Sequence, residues 1–426
     1  MIVIYTNKKT SRLQYTMNLV FATLLKVDYK IITKQQSFIN ATLPKLSYSK
    51  NLLTTEIHFT ATDLLFQTTI QPQTIEIKKV GGLPTFYSHG NRKSALTYDA
   101  FAMIFYLVSR YEEYTDLNRD KHGRFEAEQS IAYQYDFLKI PLVNHLVLQI
   151  KSIIQIKYPN FQFPKTHFQY LPTYDIDYAW AYKNRNLKRT FGGYVRSLLT
   201  GNLSEVKTRF QVQMNRKEDP FYTFDFLNHL HQRHHLSPIY FFLIGDYSEY
   251  DKNIHFENKA FQMLIKTIAK QYEIGLHPSY TSNAKAGQLA IEKKRLERVT
   301  NQKINKSRQH FLKVSIPETY RNLLENGIKK DYTMGYAMTT GFRASIANTY
   351  FWYDLEQEEI TDLQIVPFQV MDVTLRDYMK LSEEEAISEI QLLIKNTKVV
   401  DGVFCTLWHN STLDEVWAKV YETVFE

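Results

Sequence analysis

The chain has 426 residues, 44% hydrophobic and 23% charged, which excludes a disordered polypeptide and is too long for one ordinary domain. Its net charge of +8 is modest for this length. Without a zinc-finger spacing, a phosphate-binding loop or a long Lys/Arg tract, that charge gives no support to nucleic-acid binding. The single Cys405 excludes an internal disulfide, and no stretch of about 18 apolar residues is present to span a membrane.

The opening MIVIYTNKKTS places its lysines after a short apolar run and lacks the apolar core of a signal peptide, so a cytoplasmic protein is expected. Residues 1–5 read as a strand, 11–25 as a helix and 29–33 as a strand again. Residues 51–90 read as short strands broken by turns such as Gly81-Gly82-Leu83-Pro84. Phe101, Ile104, Phe105 and Val108 recur at helical spacing, which predicts one helix over 98–114. The mixed-charge run 110–124 reads either as a solvated loop or as a structured loop packed on the second domain or a ligand. A helix over 142–156 ends before Pro159 and Pro164. These prolines set a boundary between a smaller α/β domain, residues 1–160, and a second domain, residues 166–426.

Past that boundary strands and helices alternate. Predicted strands over 168–174, 239–244, 273–276 and 402–407 are interleaved with helices over 220–234, 258–271, 286–299, 316–325 and 383–396. Repeated βα units predict a parallel sheet or barrel, in which residues just past the strand ends converge on one face. Asp175 and Asp177, His277, Arg308 and His310, and His409 all fall at such ends. Two carboxylates at i and i+2 share one face of an extended strand and need a cation or an arginine beside them. Imidazole with carboxylate suits zinc or another first-row divalent metal. Pro278 would hold His277 in place, Arg308 could keep a carboxylate ionised, and His310 could act as ligand or acid. His409 is positioned for general-acid work, with Asp372 as the candidate group that orients it. Tyr280 and Trp408 beside these ends, and Arg343 at the mouth, are candidate substrate-binding residues.

The order Thr173-Tyr-Asp-Ile-Asp177, Tyr240-Phe-Phe-Leu-Ile-Gly245, Tyr272-Glu-Ile-Gly-Leu-His277, Ser307-Arg308 and Leu407-Trp-His409 resembles the NodB-homology polysaccharide deacetylases over about residues 168–426. The part before it, with Ser109-Arg-Tyr-Glu-Glu-Tyr114 and Asp120-Lys-His-Gly-Arg-Phe125, resembles an uncharacterised domain found ahead of such barrels in Bacteroidetes. The resemblance implies a distorted (β/α) barrel that removes acetyl groups from N-acetylated sugars. It implies Asp175 as general base, Asp177 and His277 as ligands of a divalent metal, Arg308 as the arginine that orients the base, His409 as general acid and Leu407 as an apolar wall. The family's second metal histidine lies four residues after the first, where this chain has Thr281. His310, the nearest spare imidazole at a neighbouring strand end, is the expected substitute.

The expected function is therefore metal-dependent hydrolysis of an N-acetyl or other acyl group on a sugar or glycan precursor. The competing expectation is a catalytically impaired relative that binds glycan or serves assembly. Weak attraction to anionic polymers is a third and more generic outcome of the charge.

Overall fold

Short β-branched and aromatic runs, many of them alternating with helices, build two main sheets. The computed structural model describes residues 1–425. In the N-terminal part, β1 (Ile2–Tyr5), β2 (Tyr29–Ile32), β3 (Lys45–Ser49) and β4 (Ile57–Thr60) lie in the order β2-β1-β3-β4, all parallel. A two-stranded ribbon, β5 (Lys78–Val80) and β6 (Leu83–Thr85), turns at Gly81-Gly82, whose φ values of 58° and 82° only glycine adopts freely.

Two predicted helices are interrupted. The first is α-helical only over Ser11–Met17, capped by the Thr10 hydroxyl, and then widens into a π-helical stretch, Asn18–Leu24. The helix expected over 98–114 runs over Ala100–Val108, stops at Arg110 with φ 55°, and resumes over Tyr111–Thr115. The break turns the Arg110 guanidinium inward, where Nε meets Glu113 at 2.7 Å and Nη2 meets Glu112 at 2.8 Å.

The larger sheet has nine strands. They are β7 (Gln169–Ile176), β8 (Ile239–Leu243), β9 (Glu273–His277), β10 (Lys306–Ser307), β11 (Lys330–Asp331), β12 (Tyr350–Asp354), β13 (Glu359–Ile365), β14 (Val370–Met371) and β15 (Val403–His409). Their order is β12-β13-β11-β10-β9-β8-β7-β15-β14, parallel throughout except for the β12–β13 pair. Among the described residues no ladder joins β14 to β12, so the expected barrel is an open arc. Strands β10, β11 and β14 are only two residues long. The chain after β11 leaves the sheet for a buried irregular path that bonds the N-terminal part, with Phe342 N donating to Leu138 O and Val143 N donating to Ser345 O. Inside the arc, Phe241, Tyr332 and Val366 pack as one apolar group and Leu312, Phe368, Met371 and Leu407 as another.

The two parts of the chain are joined by buried charge. Glu113 accepts from Arg343 Nε at 3.0 Å and Nη2 at 2.7 Å, and Arg110 also donates to the Arg343 carbonyl. Arg343 was expected at the mouth of the site. It is instead fully buried, because Glu113 holds it inside the contact between the two parts. Arg12 spans the same contact to Glu358, with Nε at 2.9 and 3.1 Å from its two oxygens.

Burial would push the Glu113 carboxyl up, but Arg343 and Arg110 outweigh it and bring it to about 2. Replacing Glu113 by Ala leaves Arg343 buried without its carboxylate and Arg110 with Glu112 alone, and should cost about 3–5 kcal/mol in urea unfolding. A depressed carboxyl stabilises the fold above its unfolded value. The wild-type contribution should therefore be present above about pH 4 and fade as pH falls toward 2, so Glu113→Ala should lose stability less steeply than wild type over that window.

Candidate metal centre

Strand β7 alternates. Tyr174 faces outward, its ring 4.9 Å from Tyr240, while Thr173, Asp175 and, one step past the strand, Asp177 face the interior of the arc. Arg308, just after β10, reaches across beneath them. Its Nη1 donates to Asp175 Oδ1 at 2.9 Å, Nη2 to Thr173 Oγ1 at 2.6 Å and Nε to Tyr332 O at 2.9 Å. The guanidinium also lies 4.7 Å from the centre of the Phe241 ring. Gly275 makes room for that ring, since a Cβ there would collide with it.

Three imidazoles converge on Asp177. His277 Nε2 is 3.2 Å from Asp177 Oδ1, His310 Nε2 is 3.6 Å from Oδ2 and His409 Nε2 is 3.8 Å from Oδ2. Each ring is fixed from behind. His277 Nδ1 bonds the Arg308 carbonyl at 2.5 Å, His310 Nδ1 bonds Asp251 Oδ1 at 2.8 Å and His409 Nδ1 bonds Asp372 Oδ1 at 2.8 Å. Because every one of those partners is an acceptor, each Nδ1 carries a proton and each Nε2, aimed at the carboxylate, is left for a second proton or a cation. Lone pairs facing a carboxylate repel unless a proton or a cation lies between them. Without a cation, burial would lower His310, but Asp177 and Asp251 outweigh it and raise it to about 9. Burial likewise opposes the rise of His409 to about 10, which Asp372, Asp177 and Asp175 bring about.

The donor set fits a divalent metal. Ligand atoms of Asp177, His277 and His310 lie within 4.8 Å of one another, and Asp177 Oδ1 is buried with no hydrogen-bond partner. Two imidazole nitrogens with one carboxylate oxygen, leaving further positions open, suit zinc or a neighbouring first-row ion. A cavity of about 180 Å³ opens over this cluster, lined among others by Asp175, Leu407, Met371 and His409.

Other candidate residues go elsewhere. Trp408 is fully buried on the outer face of β15, 4.6 Å from the Tyr421 ring, because alternation turns Leu407 and His409 inward and the residue between them outward. It cannot line the cavity. Tyr280 does not line it either. Its ring lies 4.3 Å from Tyr250 and its hydroxyl 3.2 Å from His122 Nδ1. Thr281 turns its hydroxyl to Ser279 Oγ at 3.0 Å.

Two contributors were not singled out in the sequence. Asp251 is fully buried in the loop after β8, accepts from Tyr280 N and Ser248 Oγ, and steers His310. Arg124 comes from the N-terminal part and lines the cavity. Its Nε pairs with Asp120 at 2.7 Å and its Nη1 donates to Phe311 O at 3.0 Å. That carbonyl belongs to a strained turn, with Phe311 and Leu312 both in the left-handed region at φ 60° and 52°. The mixed-charge run 110–124 is thus a structured loop seated on the larger sheet's site.

A family model described as a family of unknown function, DUF7033, matches residues 2–159. No curated protein matches the chain. Among solved structures, the chain is similar to a provisionally assigned polysaccharide deacetylase from Mycobacterium smegmatis, at 14% identity over 62% of this chain and 85% of that one, with a TM-score of 0.41. It is similar to the polysaccharide deacetylase from Bacillus cereus at 11% identity over 61% and 86%, with a TM-score of 0.30. It is also similar to a CE4 family pseudoenzyme from Bacillus anthracis at 14% identity over 62% of each chain, with a TM-score of 0.28.

Titration of metal-free protein with zinc, followed by calorimetry, should give one site per chain. Removing a ligand in His310→Ala should abolish or severely weaken it, and elemental analysis showing equal occupancy in wild type and variant would reject His310 as a ligand. Asp251→Asn, which leaves the ligands in place but loosens one ring, should weaken binding by about 10- to 100-fold.

Proposed function

We propose that the chain is a divalent-metal-dependent hydrolase that removes an acetyl, or another small acyl, group from the nitrogen of an N-acylated sugar or glycan precursor. The observation that carries this reading is the pairing of two opposed proton-handling groups over one ligand cluster. Asp175 is held by Arg308 at 2.9 Å and His409 is held by Asp372 at 2.8 Å, both bordering the cavity that holds Asp177. The motif resemblance, from Thr173-Tyr-Asp-Ile-Asp177 to Leu407-Trp-His409, adds support.

A divalent ion held by Asp177, His277 and His310 would polarise the acyl carbonyl and make water a stronger nucleophile near neutral pH. The chain's own groups supply the rest. Arg308 occupies Asp175 Oδ1, while Oδ2 lies 3.7 Å from His277 Nε2. Asp175 takes a proton from the attacking water as its oxygen bonds the acyl carbon. His409, backed by Asp372, gives a proton to the nitrogen as the C–N bond breaks, leaving acetate and a free amine. Leu407 and Met371 give that space an apolar wall suited to a methyl group, and Arg124 supplies a cation at its rim.

A non-catalytic, glycan-binding role is the second reading, favoured by Thr281 at the position where the resembled family has a histidine. Acetate release separates the two. Using an N-acetylated chito-oligosaccharide, Asp175→Asn should lower kcat by about 100-fold or more with zinc content unchanged. Wild-type protein with full zinc occupancy that binds the sugar and releases no acetate would favour the second reading.

A further inference from the structure

Between β7 and the helix Phe224–Arg233 the chain detours through two helices, Leu187–Leu199 and Leu203–Gln213, joined at Thr200-Gly201-Asn202. A surface helix ordinarily turns its apolar stripe to the core and its polar face to water. This hairpin is built the other way round. Its inner seam is small and polar. Gly193 lies directly against the Arg209 guanidinium, Ser197 Oγ donates to Glu205 Oε2 at 2.9 Å, Arg209 Nη2 pairs with Glu205 at 2.6 Å and Tyr194 Oη donates to Gln213 Oε1 at 2.8 Å.

Val212 is buried, but most of the apolar side chains are left outside. Leu187 is 88% exposed, Phe191 71%, Leu199 83% and Leu203 68%, with Leu198 and Phe210 at least half exposed beside them. Single exposed apolar residues are ordinary, but a cluster of this size on one hairpin marks an interaction surface. The charge around it is equally one-sided. Residues 178–223 hold nine Lys and Arg against three Asp and Glu, so 9 − 3 = +6 of the chain's net +8 resides there. Lys188, Arg196, Lys207, Arg216 and Lys217 are exposed and make no ion pair among the described residues.

We propose that this hairpin lies in the surface of an anionic lipid bilayer. Its leucines and phenylalanines would enter the boundary between headgroups and acyl chains, and its lysines and arginines would meet lipid phosphates. An uncharged protein groove would satisfy the apolar face alone. The free cations bordering that face select a medium that is both apolar and anionic. A 13-residue helix is about 20 Å long, too short for a hydrocarbon core of about 30 Å, so it must lie flat. Among the described residues no helix is long and apolar enough to cross a membrane.

The hairpin is also firmly moored. Arg189 donates to the carbonyls of Lys252 at 2.7 Å and Asn253 at 3.0 Å, in the loop whose Asp251 holds His310. The proposed bilayer surface and the metal centre therefore share the C-terminal side of the sheet. Neither the apolar face nor the free cations belong to the metal centre, so binding should persist in Asp177→Asn.

Sedimentation of the full chain with vesicles tests this. At low salt, wild-type protein should pellet with pure phosphatidylglycerol vesicles and stay in solution with pure phosphatidylcholine vesicles, and added salt should weaken the binding. Phe191→Ser with Leu199→Ser should weaken it by roughly tenfold per side chain while circular dichroism stays unchanged. Lys188→Glu with Arg196→Glu should remove the preference for phosphatidylglycerol. The proposal is overturned if wild-type protein stays in solution with both vesicles, or if the serine variant binds as well as wild type. It is equally overturned if light scattering shows a dimer that the serine substitutions dissociate and vesicles are not bound.

Discussion

One carboxylate, Asp177, meets three imidazole Nε2 atoms, and most of the surrounding structure exists to hold them there. Imidazole is a useful ligand only when its other nitrogen carries the proton and its plane cannot swing. Here a backbone carbonyl, Asp251 and Asp372 each perform that task for one ring. Asp177, Asp251, His277, Arg308 with His310, Asp372 and His409 come from six separate stretches of chain. Asp175 stands apart from this set. Its partner is a guanidinium clamped on three sides, which separates the carboxylate that would take a proton from the one that would hold a cation.

The N-terminal part is more than a neighbour. Its loop delivers Arg124 to the wall of the cavity and clamps the carbonyl of Phe311, next to His310. A turn with two consecutive left-handed residues would relax if left alone, and the guanidinium gives it a reason to stay. This offers a physical role for a region whose matching family model carries no function.

Much of the centre was legible because period-2 strands and strand ends are strong signals. Asp175 and Asp177 could be placed on one face from alternation, and His277 and His409 beside them from their positions at strand ends. Trp408 was misplaced although the same alternation, applied strictly, sends it outward between Leu407 and His409. Asp251 could not be picked out. Its loop also contains Asp246, Glu249 and Glu257, and nothing in their spacing says which acid turns inward. The break at Arg110 was equally hidden, because the apolar period continues through Tyr111 and no glycine or proline warns of the left-handed residue. Arg343 read as a rim cation because its partner, Glu113, lies far away in sequence. The open edge of the sheet follows from strands only two residues long, which leave no periodic trace.

The prolines at 159 and 164 invite a cut between the two parts, yet the buried contacts run across that line. A C-terminal fragment expressed alone would inherit Arg343 without an acid, Glu358 without Arg12 and a kinked turn without its clasp. The two halves are therefore poor candidates for exchange as independent cassettes. Graft either onto a foreign companion and the companion would have to reproduce, at matching positions, the charges that the original counterpart tucks out of water.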